Sequence, residues 1–170
     1  MKKILFTMLM LIVSCVMYAG SPVKSGNKKF LKDEGTVQMV FDWKNAKYDK
    51  KKPLTEYLEK DDVKYEQRVE DAESNIIKGF NEKSKKLKAV TTSGADYTMT
   101  IKIENLDYYF SVMGWAPGHV YKIWATVTVT DKTGATVCEM HFDEFKGGRD
   151  FVPYDAYTEM AEDFGKELAK

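Results

Sequence analysis

Three stretches in the second half of the chain alternate apolar and polar residues with a period of two, and this pattern restricts the fold more than any other feature. In the first, Tyr97, Met99, Ile101 and Ile103 face one way, and Thr98, Thr100, Lys102 and Glu104 face the other. Tyr121, Ile123, Ala125, Val127 and Val129 repeat the apolar set, and Thr136, Cys138, Met140 and Phe142 form the third. Successive side chains of a strand point to opposite faces, so each stretch is predicted to be a half-buried strand. Asp131-Lys132-Thr133-Gly134 lies between the last two and carries turn chemistry, with Gly134 placed for a positive φ. Those two strands are expected to form an antiparallel hairpin. Gly147-Gly148 is expected to end the second of them. Earlier in the chain, Val37, Met39, Phe41 and Trp43 share one face of a further strand within 36–43.

Two helical patterns flank these strands. Pro53 suits a helix start and is followed by Leu54-Thr55-Glu56-Tyr57-Leu58, a short helix. A longer one is predicted over 64–87, where Val69, Ala72, Ile76, Phe80 and Leu87 recur at helical spacing. Its acids come early (Glu66, Glu70, Asp71, Glu73) and its lysines late (Lys83, Lys85, Lys86), as the helix dipole favours. The last helix begins near Pro153 and carries Ala156, Tyr157, Met160, Ala161, Phe164 and Leu168 on one stripe. Gly165 interrupts it at a cost of ~1 kcal/mol relative to alanine, which close approach to the sheet would explain. The order strand, helix, three strands, helix predicts a two-layer α+β sandwich: a mostly antiparallel four-stranded sheet with two main helices on one face. The other sheet face would meet solvent or a partner.

The first residues have a different character. Lys2 and Lys3 precede an uncharged run, Ile4 to Tyr18, rich in Leu, Ile, Met, Val and Phe. This is the layout of a secretory signal peptide, and the run is shorter than the roughly 20 residues a membrane-spanning helix needs. Two endings fit. Ile12-Val13-Ser14-Cys15 resembles a bacterial lipobox, which would make Cys15 a lipidated first residue of the mature chain. Tyr18-Ala19-Gly20-Ser21 offers small residues for ordinary cleavage, and the apolar run continuing past Cys15 favours it, whereas Met17 counts against it. The expected organisation is a signal peptide over 1–19, a polar flexible arm over 20–34 and one domain over 35–170. Cleavage after Ala19 leaves Cys138 as the one cysteine, so the domain must rest on its core and not on an intrachain disulfide.

Composition narrows the function classes. The chain has 26 basic and 26 acidic side chains, which gives no electrostatic case for nucleic acid. No Gly-rich phosphate loop, paired CxxC, HExxH or GxSxG motif occurs, and no cofactor is implied. Cys138 and His141 have a CxxH spacing, but positions three apart on a strand point to opposite faces, so a core thiol is the better reading than a metal ligand. His119 is the only other histidine. A carboxylate-dependent hydrolase is the enzymatic alternative, with Asp42, Asp61 and Asp62 as candidates by type alone.

Two features suit binding. The segment from Tyr108 to Gly118 loses alternation and contains Gly and Pro, so it is expected to be a loop, and it carries Phe110, Met113 and Trp115. These either cap the open end of the core or form an apolar patch for a protein or lipid partner. The second feature is the outer sheet face, where Trp124 stands among Thr98, Thr100, Lys102, Lys122, Thr126, Thr128 and Thr130 and suggests either a covered face or a binding platform.

The second half also resembles small envelope domains of Gram-negative bacteria, the group of the TolB amino-terminal domain and the curli secretion lipoproteins. The likeness covers about residues 94–170: Gly94-Ala95-Asp96 leading into a strand, the turn Asp131-Lys132-Thr133-Gly134 followed by Ala135-Thr136-Val137, and the closing helix with Ala161 and Gly165. The resemblance implies a non-enzymatic, periplasmic or outer-membrane-associated module that binds an envelope protein or membrane surface. It assigns no catalytic residue.

Overall fold

The computed structural model describes residues 23–58, 64–112 and 117–170. Among these residues, eight strands form one mixed sheet, and three α-helices and a 3-10 turn accompany it. The strands are β1 (Val23–Gly26), β2 (Gly35–Asp42), β3 (Lys47–Tyr48), β4 (Lys52–Pro53), β5 (Leu87–Val90), β6 (Tyr97–Ser111), β7 (Gly118–Asp131) and β8 (Thr136–Asp150). The helices are α1 (Leu54–Leu58), α2 (Tyr65–Lys83) and α3 (Pro153–Leu168). The main path of the sheet runs β1-β8-β7-β6-β2-β5, and β3 lies beside the far part of β6 with β4 paired to it. Among the described residues no helix is long and apolar enough to cross a membrane.

This architecture overturns the four-stranded, mostly antiparallel α+β sandwich. The protein is mostly β, and its sheet is large and mixed. β6, β7 and β8 are antiparallel, as the alternation and the Gly134 turn require, but β2 runs parallel to both β5 and β6. The additional strands are short. β1 is VKSG and β5 is LKAV, too few residues for a period of two to stand out. The long helix stops at Lys83, where the Ser84 N–H closes on the Phe80 carbonyl and the Ser84 hydroxyl donates to the Leu87 carbonyl. Leu87 therefore belongs to β5, where it is fully buried. The expected arm over 20–34 is, from Val23 onward, part of the fold. β1 pairs with β8, and the 3-10 turn Lys28–Lys32 buries Phe30 against Tyr97 with ring centroids 5.7 Å apart. The signal-like run, Cys15 and Ala19 lie outside the described residues.

The core lies between one sheet face and the helix pair. Met99, Ile101, Ile103, Ile123, Ala125, Val127, Val129, Cys138 and Met140 are buried from the sheet. Ala72, Ile76 and Phe80 of α2 and Tyr157, Met160, Ala161, Phe164 and Leu168 of α3 close over them. Phe142 meets Phe164 edge to face at 5.0 Å. The glycines set how closely these layers approach. A Cβ on Gly165 would stand 2.0 Å from the Ile76 carbonyl oxygen, and one on Gly79 would stand 2.0 Å from that of Glu162. Gly165 thus admits α2 and not the sheet. Gly147 and Gly148 do not end β8, which continues through a register irregularity to Asp150. They let α3 lie on it: a Cβ on Gly148 would be 1.9 Å from the Ala156 carbonyl oxygen, and its φ of +65° already favours glycine.

The parallel start of β2 beside β6 is clasped by one carboxylate. Asp96 Oδ2 accepts from the Thr36 N–H at 2.8 Å, the Asp96 N–H donates to the Thr36 carbonyl at 3.0 Å, and Lys132 Nζ reaches Asp96 Oδ1 at 2.8 Å. Lys132 first, and then the Thr36 N–H, pull the Asp96 carboxyl down to about 2.

Two expectations follow. Gly165→Ala should destabilise the protein by ~2 kcal/mol in denaturant titration, because the added methyl meets backbone, despite alanine's better helix propensity. A gain in stability would show that the two helices can part. A carboxylate depressed in the fold stabilises it above its ordinary pKa and loses that contribution as pH falls toward the folded value. Asp96→Asn should therefore lower Tm at neutral pH, with the difference from the parent closing as pH falls from about 4 to 2. A difference independent of pH would show that the Asp96 charge is not involved.

Candidate functional site

The helices do not cover the whole inward face of the sheet. β6 and β8 have 15 residues each and β7 has 14, against 19 in α2 and 16 in α3. At ~3.3 Å per strand residue and ~1.5 Å per helix residue, strands of roughly 50 Å lie under helices of roughly 24–28 Å. Helix cover at the Asp150 end of β8 reaches Tyr121, where Tyr157 packs edge-on at 5.5 Å and donates its hydroxyl to the Arg68 carbonyl. Beyond Tyr121 the inward-facing residues of β6 and β7 cover one another. Tyr108 stacks on Tyr121 at 5.2 Å, His119 lies 5.5 Å from Tyr108 and 5.1 Å from Phe110, and Phe110 stands 6.5 Å from Phe151.

This end of the molecule is apolar and open. Phe110 is 48% exposed, Val112 76%, Phe151 64% and Val152 49%. Phe110 and Val112 come from the end of β6, and Phe151 and Val152 from the turn between β8 and α3. Tyr109 points the other way, 41% exposed, with Lys122 Nζ 5.1 Å from its ring centre. Exposed apolar side chains are ordinary when scattered singly. A group of four at one end, with the rings of Phe110 and Phe151 facing each other across it, is a candidate contact surface.

Among its described residues, the segment expected to be a loop over 108–118 is mostly strand. Tyr108 to Ser111 pair with Gly118 to Tyr121, and the β-pairing accounts for their aromatic content. Of the residues singled out there, Phe110 lies in the apolar group, while Met113 and Trp115 lie outside the described residues. Val112, Phe151 and Val152 were not singled out. Two apolar residues before Pro153 have no periodicity to mark them, although an apolar pair at a helix start is itself a signal.

Trp124 lies on the opposite, outer face, apart from the apolar end. Thr98, Thr100 and Lys102 stand across from Thr130, Thr128 and Thr126, and after an irregularity Asn105 stands across from Trp124. The ammonium of Lys50 covers the indole at 4.8 Å. Lys50 and Asp49 adopt φ of 58° and 48°, and the Lys50 N–H donates to Asn105 Oδ1 at 2.6 Å. Trp124 is half-buried beneath a neighbour held in a tight turn.

A polar chain crosses the same face. The Glu104 carboxylate accepts from the Thr126 hydroxyl at 2.8 Å, Thr126 Oγ1 is 3.0 Å from His141 Nδ1, and His141 Nε2 is 2.9 Å from Asp143. With the hydroxyl proton directed to Glu104, Nδ1 must donate to Thr126, the reverse of a nucleophile and its base. Cys138 is fully buried, and burial pushes its thiol up. It pairs with Val129, while His119 lies at the other end of β7 across from Asp150. Asp42 accepts from the Lys44 N–H at 3.0 Å, and Asp61 and Asp62 lie outside the described residues. Among the described residues no group of three or more His, Cys, Asp or Glu side chains could hold a metal ion.

By fold, the chain is a mostly β protein with one mixed sheet backed by a helix pair and an apolar end left open. No family model matches the chain, and no curated protein matches it. The likeness to TolB-type and curli-type domains thus rests on its sequence features alone. Among solved structures, the chain is similar to the PelC dodecamer from Paraburkholderia phytofirmans at 10% identity, over 87% of this chain and 93% of that one, with a TM-score of 0.43. It is also similar to a Xanthomonas campestris protein of family-model DUF330 at 12% identity, over 87% and 90%, with a TM-score of 0.39. A hypothetical protein from Chlamydia trachomatis aligns at 12% identity, over 67% and 72%, with a TM-score of 0.35. At such identities and TM-scores these likenesses transfer no activity, partner or assembly.

The aromatic cluster makes a prediction of its own. His119 Nδ1 is buried and has no hydrogen-bond partner among the described residues. His119→Phe keeps a ring between Tyr108 and Phe110 and removes that nitrogen, so stability should rise by ~1 kcal/mol in denaturant titration. A loss of similar size would show that the nitrogen is satisfied in solution.

Proposed function

We propose that this protein is an exported cell-envelope module, periplasmic or outer-membrane-associated, that works by binding and not by catalysis. The observation that carries the binding half is the open apolar end formed by Phe110, Val112, Phe151 and Val152. An apolar group left uncovered by its own helices gains by meeting a second surface. The export half rests on Lys2, Lys3 and the uncharged run to Tyr18. The resemblance to the TolB amino-terminal domain and the curli secretion lipoproteins points the same way, toward a part that supports an envelope assembly. In this reading Phe110 belongs to the binding surface, Met113 and Trp115 follow it in the chain, and Trp124 is a separate candidate on the outer face.

Fractionation of cells with intact-mass measurement of the recovered protein tests the export half. A chain beginning near Gly20, or one beginning at a lipid-modified Cys15, in the envelope fraction is the expected result. An unprocessed chain in the cytosol would overturn it.

A further inference from the structure

The identity of the second surface can be argued from the direction of the chain. β1 is antiparallel to β8, with Val23 across from Met140 and Gly26 across from Cys138. The chain therefore enters β1 from the side on which β8 continues from Met140 to Asp150. Asp150 is across from His119, at the level of Phe110 and beside Phe151. The backbone at Val23 thus leads back toward the open apolar end and away from the Gly134 turn. Cys15 precedes Val23 by eight residues, a chain length of at most roughly 28 Å. The part of β8 between Met140 and Asp150 covers roughly 33 Å, so that length approaches the level of Asp150 without reaching it.

The chemistry around the apolar group fits the same surface. Phe110, Val112, Phe151 and Val152 project from a strand end and a turn, the parts of the fold that can enter an apolar layer without opening the core. Behind them stands Tyr109, with the Lys122 ammonium over its ring and Glu144 paired to Lys122 at 3.4 Å. A tyrosine and a lysine behind an apolar tip place amphipathic groups at headgroup depth.

We infer that the occupant of the apolar end is a phospholipid bilayer, entered by Phe110, Val112, Phe151 and Val152 at the end of the sheet toward which the backbone at Val23 leads back. This rests on the envelope reading and gives it a partner. The bilayer contact orients the domain with the Gly134 turn away from the membrane. It adds a second, reversible attachment to whatever anchor the amino terminus supplies, and single weak attachments hold proteins at membranes only marginally.

The test uses the full chain carrying Cys15→Ser, so that no lipid is attached, and vesicles of phosphatidylethanolamine with phosphatidylglycerol. An environment-sensitive fluorophore is placed at Phe151→Cys or, at the opposite end, at Lys132→Cys. Vesicles should brighten the label at 151 by about twofold or more, and nitroxide on the acyl chains should quench it, with neither effect at 132. Phe110→Ser combined with Val112→Ser should lower the vesicle-bound fraction by about fivefold or more. Both residues are exposed, and circular dichroism checks that the variant folds. If it does not, the paired labels decide alone. Equal responses at 151 and 132, or vesicle binding unchanged in the folded double variant, would overturn the proposal. So would brightening at 151 that needs no vesicles and grows with protein concentration, the mark of a second copy on this surface. Recovery of the protein in the envelope with no vesicle response would remove the bilayer contact and leave the envelope reading standing.

Discussion

The backbones of α2 and α3 meet at Gly79 and Gly165, and the layer above the sheet depends on that contact. Each glycine faces a carbonyl oxygen of the other helix at a distance no side chain would permit. The two helices therefore act as one unit, with Ile76 and Phe80 beside Phe164 and Leu168 over the buried faces of β7 and β8. Gly147 and Gly148 then let α3 settle on β8. Glycine inside a helix costs ~1 kcal/mol relative to alanine, and here close packing offsets it. Small residues at the crossing also free the larger ones to point into the sheet, where they bury the most apolar area.

A helix pair held this tightly cannot spread, and its reach is set by helix rise. The three long strands extend further than either helix, so the inward face past Tyr121 is left to cover itself. It does so with aromatic rings: Tyr108 on Tyr121, His119 between Tyr108 and Phe110. Among the described residues the outermost members have no helix above them, and they are the exposed group with Phe151 and Val152. The open end is thus a consequence of layer dimensions, and it gives the molecule two unlike poles. At the other pole, the Asp96 clasp and the Gly134 turn close the sheet with hydrogen bonds and charge.

The outer face shows what residue type alone could not resolve at Trp124. A tryptophan among threonines fits a covered face or a binding platform, and the turn at Asp49 and Lys50 lays an ammonium over the ring. That turn lies far from Trp124 in sequence, and it reaches the ring because β3 docks on β6 beside Asn105. Thr126, His141 and Asp143 likewise line up only through strand register. Their hydrogen-bond directions run against nucleophilic use.

The sequence by itself determined which side of each long element faces inward. Met99, Ile101 and Ile103, then Ile123, Ala125, Val127 and Val129, are all buried as their period requires, because a strand's two faces are set by local geometry. It also marked Phe110 as an apolar residue needing an explanation. Only the tertiary structure decided the parallel placement of β2 and β5, the roles of the four glycines, and the addition of Val112, Phe151 and Val152 to Phe110. Parallel pairing joins segments distant in the chain, and four-residue strands are too short to carry a period. What covers a given face depends on the lengths and crossing of other elements. That is long-range geometry, which no local pattern encodes.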